Sequence, residues 1–218
     1  MKTTPPKGAI LQRDKETYAI VPRIPGGLLK KHHLRAISDV VEKYDIPIVK
    51  ITSGQRIALV GLKLEDVAAV YEDLGMDPGK ATELCLHYVQ SCPGTEVCKF
   101  GVRDSLGFGI QLEDMLAGSD MPAKFKIGVS GCQFCCAENH VRDLGMFAKK
   151  SGWTISFGGH SGKNARVGNI IAEDISEEEA IELITKCIDY YRANAKPRER
   201  AGRFIERTGI EALMAQLR

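Results

Sequence analysis

Seven cysteines constrain this chain more than any other feature, and six of them fall between positions 85 and 136. Cysteines that only fill a core would be scattered along the chain, so this clustering favours metal ligation. An odd count without an export signal argues against a disulfide framework, and thiols stay reduced in the cytosol. We therefore expect the chain to fold around a metal centre.

The spacing of four cysteines favours an iron–sulfur cluster. They form two pairs separated by five and by three residues, Cys92 with Cys98 and Cys132 with Cys136. Pro93-Gly94 predicts a turn inside the first pair, and Gly131 lets the backbone approach a bulky inorganic group beside the second. Zinc held by four cysteines is the alternative, although zinc sites usually use tight two-residue knuckles, which neither pair has.

Length and composition describe an ordinary globular protein. The chain has 218 residues, 44% of them hydrophobic and 27% charged, which suits one large domain or two small ones. A net charge of +2 gives no reason to expect nucleic acid or an anionic membrane as a partner. No stretch approaches the ~20 apolar residues that cross a bilayer. We expect a cytoplasmic protein.

The first ~75 residues predict a compact unit with the order β-α-β-β-α. Its predicted elements are strands at 18–21, 48–51 and 57–60 and helices at about 28–44 and 64–74. Gly75 ends the second helix as a C′ glycine, and Asp77-Pro78-Gly79 marks a boundary.

The remaining chain mixes strands and helices. Predicted strands cover 126–130, which runs into Cys132, and also 153–157 and 167–172. Ser176 and Glu179 predict a capping box that opens a long helix, and the tail from Arg198 is predicted to be helical.

Several segments in a fixed order resemble the siroheme-containing sulfite and nitrite reductases. They include both cysteine pairs with their flanks (91–99 and 130–136), Lys124-Phe125-Lys126, Ile24-Pro25-Gly26-Gly27 and the Gly158-Gly159 loop. The resemblance extends from about Tyr18 to Leu213. It implies an α+β fold, with a ferredoxin-like half-domain at 1–76 and a mixed α/β domain for siroheme and a [4Fe-4S] cluster at 77–218.

This resemblance also implies the cofactors and the reaction. The four paired cysteines would hold the [4Fe-4S] cluster, and Cys136 would also ligate the siroheme iron. Cys135, next to it, would be a packed thiol. Sulfite would be reduced to sulfide with six electrons and six protons.

Basic residues are assigned to the substrate anion and to the carboxylates of siroheme. Lys124 and Lys126 match positions that bind the anion and donate protons, and residues two apart share one face of a strand. This chain has Gly54 where the family has a substrate-binding arginine, and Arg56, two residues later, is expected to contact either substrate or siroheme. Arg103 and His160 are expected at the cofactor edge, and a solvent-exposed role is the alternative for both.

A separate small electron donor, such as a ferredoxin or a cytochrome, is expected because no dinucleotide-binding motif is present. Nitrite reduction on the same cofactors is the nearest alternative. An iron–sulfur electron carrier without haem and a zinc-stabilised binding module are the others. Whether the chain is a monomer or a homodimer stays open.

Overall fold

A computed structural model describes residues 5–217, and the chain folds as two compact units that divide between Glu83 and Leu84. Within the described residues no helix is long and apolar enough to cross a membrane.

The first unit contains a four-stranded antiparallel sheet and two helices. Its elements in chain order are β1 (Ile10–Leu11), β2 (Tyr18–Ile20), α1 (Lys31–Lys43), β3 (Ile48–Ile51), β4 (Ile57–Leu62) and α2 (Val67–Leu74). The strands pair in the order β1-β2-β4-β3. The predicted β-α-β-β-α order is therefore present from β2 onward, and β1 is an addition that the sequence pattern did not predict.

Apolar side chains from both helices and the central strands form the core of this unit. Ile37 and Val40 of α1 and Val67 and Val70 of α2 pack with Leu59 of β4. The spacing of three to four residues within each helix is what places these side chains on one face. α2 ends at Gly75, which adopts φ 58° as the C′ prediction requires.

The second unit contains a five-stranded mixed sheet with four helices. Its elements are β5 (Leu86–Ser91), α3 (Ser105–Leu116), β6 (Phe125–Ser130), β7 (Leu144–Ala148), β8 (Trp153–Phe157), β9 (Asn169–Ile175), α4 (Glu177–Asn194), α5 (Ala201–Thr208) and α6 (Ile210–Leu217). The strands lie in sequence order. β5, β6 and β7 are parallel, whereas β8 and β9 are antiparallel to their neighbours.

Local signals locate several of these elements well. The predicted strand at 153–157 is confirmed, and the capping box holds, since Ser176 Oγ accepts from the Glu179 N–H at 3.1 Å while Glu179 Oε2 accepts from the Ser176 N–H at 2.7 Å. The strand predicted at 167–172 is shifted and runs from Asn169 to Ile175. The mixed α+β class is confirmed.

A single aromatic-rich core supports the second sheet. Trp153, Phe125 and Phe157 from the strands are fully buried against Tyr191 of α4 and Phe204 of α5. The rings of Phe125, Phe157 and Phe204 lie around Tyr191, with neighbouring centroids 5.4–6.2 Å apart, at the tilted or edge-to-face angles that aromatic pairs prefer. This core supports the sheet in which the carboxyl ends of β5 and β6 lead into the cysteine segments.

Candidate functional site

Both cysteine segments begin where adjacent parallel strands end. Cys92 directly follows β5, and Cys132 lies two residues beyond the end of β6. In the β5–β6 register, Ser91 is opposite Val129. Since the carboxyl ends of parallel strands meet at one edge of a sheet, the two segments leave the sheet side by side.

Glycines permit close backbone contacts between these segments and within the first of them. A Cβ added to Gly131 would lie 2.7 Å from the Cα of Gly94, and one added to Gly101 would lie 2.5 Å from the Gly94 carbonyl carbon. Gly94 itself adopts φ 56°, a conformation that favours glycine. A side chain at Gly131 would push the two cysteine segments apart, whereas one at Gly94 or Gly101 would disturb the turn within the first segment.

Hydrogen bonds join the same segments. The N–H of Gly131 donates to the sulfur of Cys92 at 3.1 Å, and the N–H of Val102 donates to the carbonyl of Gly131 at 2.8 Å. The hydroxyl of Ser105 lies 3.2 Å from the same sulfur. Hydrogen bonds to ligand sulfurs are one of the means by which a protein sets the potential of a cluster.

The cysteines at this edge differ in exposure. Cys92 is buried, Cys98 and Cys132 are half-buried, and Cys136 is exposed, and all are free thiols. Among residues 5–217 no three His, Cys, Asp or Glu side chains are gathered at one point as metal ligands. The feature that suits an iron–sulfur cluster is therefore the backbone, which brings two pairs of thiols to one edge of the sheet. The assignment of the four ligands stays a prediction.

Cys135 is held differently from its neighbours. Its thiol donates to the carbonyl of Gln133 at 3.2 Å and accepts from Nδ2 of Asn139 at 3.2 Å. Burial raises the pKa of the Cys135 thiol, so the neutral form is favoured. Cys135 is thus half-buried and hydrogen-bonded, and its assignment as a non-ligand stays a prediction.

An apolar groove of about 270 Å³ borders Cys132. Phe100 and Phe134, one from each cysteine segment, contact each other edge to face with ring centroids 5.2 Å apart. Both rings are largely exposed, at 51% and 69%. The sequence reasoning did not identify this aromatic pair.

The two predicted substrate lysines lie at the other end of β6. Lys124 immediately precedes the strand and Lys126 is its second residue. The N–H of Lys126 donates to Asp143 Oδ2 at 3.0 Å, and its ammonium lies 5.5 Å from the centroid of the Tyr88 ring. At about 3.3 Å per residue, roughly 20 Å of strand separates Lys126 from Cys132. The lysines and Cys132 therefore lie at opposite ends of β6.

Arg142 is a buried cation that sequence reasoning missed. Its side chain is 3% exposed and donates to Gln90 Oε1 and, at 2.7 Å, to Glu138 Oε2. Its guanidinium lies 5.8 Å from the Tyr88 ring centroid. The Tyr88 ring therefore lies near two cationic side chains, those of Lys126 and Arg142. Gln90 is 52 residues away in sequence, and no local pattern could have indicated the contact.

Asp143 and Arg200 form a two-point ion pair beside these residues. Arg200 Nε and Nη2 donate to the two carboxylate oxygens of Asp143 at 2.9 and 2.6 Å. Asp143 is fully buried, and burial raises its pKa while Arg200 acts in the opposite direction. The pair fixes the amino end of β6 through the bond to the Lys126 N–H.

The remaining predicted residues have local partners. Arg103 donates to the carbonyls of Lys149 and Lys150 at 3.1 and 3.2 Å. His160 is half-buried, and burial lowers its pKa, with Arg200 adding to the effect. Arg56 belongs to the first unit, where its Nη1 donates to the carbonyl of Lys80 at 2.9 Å. Their roles toward substrate or cofactor stay predictions.

Comparison with known proteins identifies the class. The 4Fe-4S domain of nitrite and sulphite reductases matches residues 84–218, and the ferredoxin-like half domain of nitrite/sulfite reductases matches residues 10–76. The chain therefore belongs to the nitrite and sulfite reductase family. Membership confirms the cofactors that the sequence predicted, a [4Fe-4S] cluster and a siroheme.

Individual members of this family differ in how similar they are to the chain. The chain is 56% identical to an assimilatory-type sulfite reductase from Nitratidesulfovibrio vulgaris, over 95% of both proteins. It is 41% identical to a nitrite reductase [NAD(P)H] from Bacillus subtilis, over 96% of this chain and 26% of that protein.

Two solved structures share the fold. Dissimilatory sulfite reductase I has a TM-score of 0.82 at 16% identity, with 92% of this chain and 69% of that chain covered. The NirA protein of Mycobacterium tuberculosis has a TM-score of 0.81 at 18% identity, with coverage of 100% and 44%.

Proposed function

We propose that this chain is a sulfite reductase that carries out the six-electron reduction of sulfite to sulfide. The observation that carries the proposal is the 56% identity to an assimilatory-type sulfite reductase over 95% of both chains. The adjacent cysteine segments at the edge of the β5–β6 sheet support it, because they supply thiols where a cluster is needed.

Cys92, Cys98, Cys132 and Cys136 are the proposed ligands of the cluster, with Cys136 shared with the siroheme iron. When bound, the two cofactors would pass electrons from the external donor to sulfite. The exposed side chain of Cys136 supports its shared role, because a bridging thiolate must be reachable from outside its own loop.

Basic residues of the chain are proposed to hold the anion and to provide protons. Lys124 and Lys126 are the proposed substrate-binding residues. The Asp143 carboxylate fixes the backbone of Lys126. Arg56, Arg103 and His160 are proposed to interact with substrate or siroheme carboxylates, as cationic or N–H donors would.

Electrons are proposed to come from a separate small protein, such as a ferredoxin or a cytochrome. The reaction needs six electrons, and a donor that carries one or two must bind and leave repeatedly. The cytoplasmic location is likewise proposed, because it suits a site that depends on reduced thiols.

Nitrite is the second candidate substrate. Relatives named as nitrite reductases match at 41% and 38% identity over at least 90% of this chain. They extend well beyond it, since the matched part is 26% and 18% of their length.

One experiment tests both the cofactors and the substrate. The purified full chain should show the Soret and red absorption bands of siroheme and should turn over sulfite with a chemically reduced electron donor. A brown shoulder without haem bands would indicate an electron carrier, and a colourless protein with zinc would indicate a binding module. Higher kcat/KM with nitrite than with sulfite would overturn the substrate assignment.

A further inference from the structure

Asn139 is a fully buried amide that uses both ends of its side chain in the second cysteine segment. Its Oδ1 accepts from the hydroxyl of Ser130 at 2.7 Å, and its Nδ2 donates to the sulfur of Cys135 at 3.2 Å. A buried amide is retained where its hydrogen bonds are satisfied, and here both partners flank proposed ligands.

Ser130 ties the two ends of the segment together. Its hydroxyl also accepts from the N–H of Ala137 at 3.1 Å. Ser130 lies two residues before Cys132, and Ala137 directly follows Cys136. The hydroxyl and the amide therefore close the loop that carries both proposed ligands.

The backbone of this loop is held in an uncommon conformation. Cys135 and Glu138 adopt φ angles of 56° and 54°, in the left-handed region that non-glycine residues rarely occupy. The N–H of Glu138 donates to the carbonyl of Cys135 at 2.8 Å and closes the turn. Such a conformation persists only where surrounding contacts fix it, and the Asn139 amide is one of them.

We propose that Asn139 is a positioning residue that keeps the Cys135 thiol out of the cluster and leaves Cys136 to present its sulfur. The inference rests on the proposed ligand set. Adjacent thiols compete for one coordination position, and the Nδ2–H donor together with the Gln133 carbonyl holds Cys135 in place. Without that donor, Cys135 is free to replace Cys136 in part of the molecules.

The test compares Asn139→Asp with the double variant Asn139→Asp, Cys135→Ala in the cofactor-loaded full chain. Aspartate keeps the shape and the acceptor toward Ser130 but removes the donor to Cys135. The EPR spectrum of the reduced cluster should show a second set of g values in the single variant. That second signal should be lost in the double variant, because the competing thiol is gone. Asn139→Ala, with and without Cys135→Ala, repeats the comparison if the buried carboxylate prevents folding.

Two results would overturn the positioning role. One is a single cluster signal in Asn139→Asp that matches the unmodified protein. The other is a defect, whether heterogeneity or failure to fold, that persists unchanged after Cys135→Ala, since this would show a purely structural residue. A failure of the proposed function is distinct from both, because it would show in the unmodified protein, as missing haem bands, a missing cluster or a preference for nitrite.

Discussion

The backbone N–H of Gly131 donates a hydrogen bond to the sulfur of Cys92 across 3.1 Å, although the two residues are 39 positions apart. The bond joins the segment after β5 to the segment after β6 at the sheet edge where both strands end. A proposed cluster ligand is thus fixed by the backbone that carries two others.

Removing the shared ligand should affect both cofactors together. Cys136→Ser is expected to abolish or strongly change the siroheme bands and the cluster EPR signal at once, because one thiolate serves both centres. The matched control is Cys135→Ser, whose side chain is bound to Gln133 and Asn139 and which should leave both spectra nearly unchanged. Bleaching in the control would move the fourth ligand from Cys136 to Cys135.

Gly131→Ala should separate the two cysteine segments. The added Cβ would meet the Cα of Gly94 at 2.7 Å and the carbonyl oxygen of Arg103 at 2.8 Å, and backbone atoms cannot move aside as a side-chain end can. We expect a loss of about 1–3 kcal/mol in the free energy of unfolding of the iron-free protein. Iron bound per chain should fall as well.

Urea unfolding and iron analysis check this prediction. Gly75→Ala serves as the control, because an added Cβ there meets nothing within 4 Å and only the left-handed φ of 58° opposes it. It should cost about 1 kcal/mol and leave the iron content unchanged. Full iron content in Gly131→Ala would mean that the close approach of the segments is dispensable.

Lys126→Met should lower turnover without unfolding the protein. The bond from its N–H to Asp143 does not depend on the side chain, so the strand is expected to keep its position. Loss of a proton donor and of a positive charge should reduce kcat for sulfite on the order of 100-fold. Lys186→Met, on the exposed side of α4, is the control and should be indistinguishable from the unmodified enzyme. Equal activity of both variants would remove Lys126 from the mechanism.

Glu199 should contribute stability that is lost in acid. Its carboxylate accepts from Arg207 Nε and Nη2, each at 2.8 Å, and these bonds lower its pKa from 4.5 to about 2. A lowered folded-state pKa means that the contribution is present above about pH 4.5 and is lost as the pH falls towards 2.

Glu199→Gln should therefore destabilise the protein by about 1 kcal/mol at pH 7, and the difference should shrink at pH 3. Urea unfolding at both pH values measures it. Glu206→Gln removes a more exposed carboxylate, bound to Arg203, and should change stability little at either pH. A Glu199→Gln deficit that is the same at pH 7 and pH 3 would contradict the linkage.

Local sequence patterns were sufficient to predict those helices and strands whose ends are marked by nearby residues. The α4 capping box, the C′ glycine after α2 and the strand at 153–157 all depend on residues within a few positions of one another. By contrast, α3 was missed because Gly107 and Gly109 interrupt its helical pattern. Both glycines face close contacts, with the Asp104 cap and with Ser91, that are visible only in the folded chain.

The features of the candidate site also divide into those that the sequence predicted and those that it could not. Cysteine spacing and the family resemblance identified the cofactors, which the comparisons confirm. The Arg142–Gln90 and Asp143–Arg200 contacts join residues 52 and 57 positions apart, so no local pattern could indicate them. Long-range pairing of this kind depends on how the strands and helices assemble.

The sequence by itself determined that four thiols occur in two short segments, each beside a glycine that permits a close backbone approach. Only the tertiary structure decided that these segments lie side by side, because the parallel pairing of β5 with β6 brings their carboxyl ends to one edge. It also gave Cys135 a hydrogen-bond donor, since Asn139 reaches that sulfur once the chain folds back onto Ser130. Spacing fixes which thiols are available, and the folded chain fixes which segments lie together and which thiols are hydrogen-bonded.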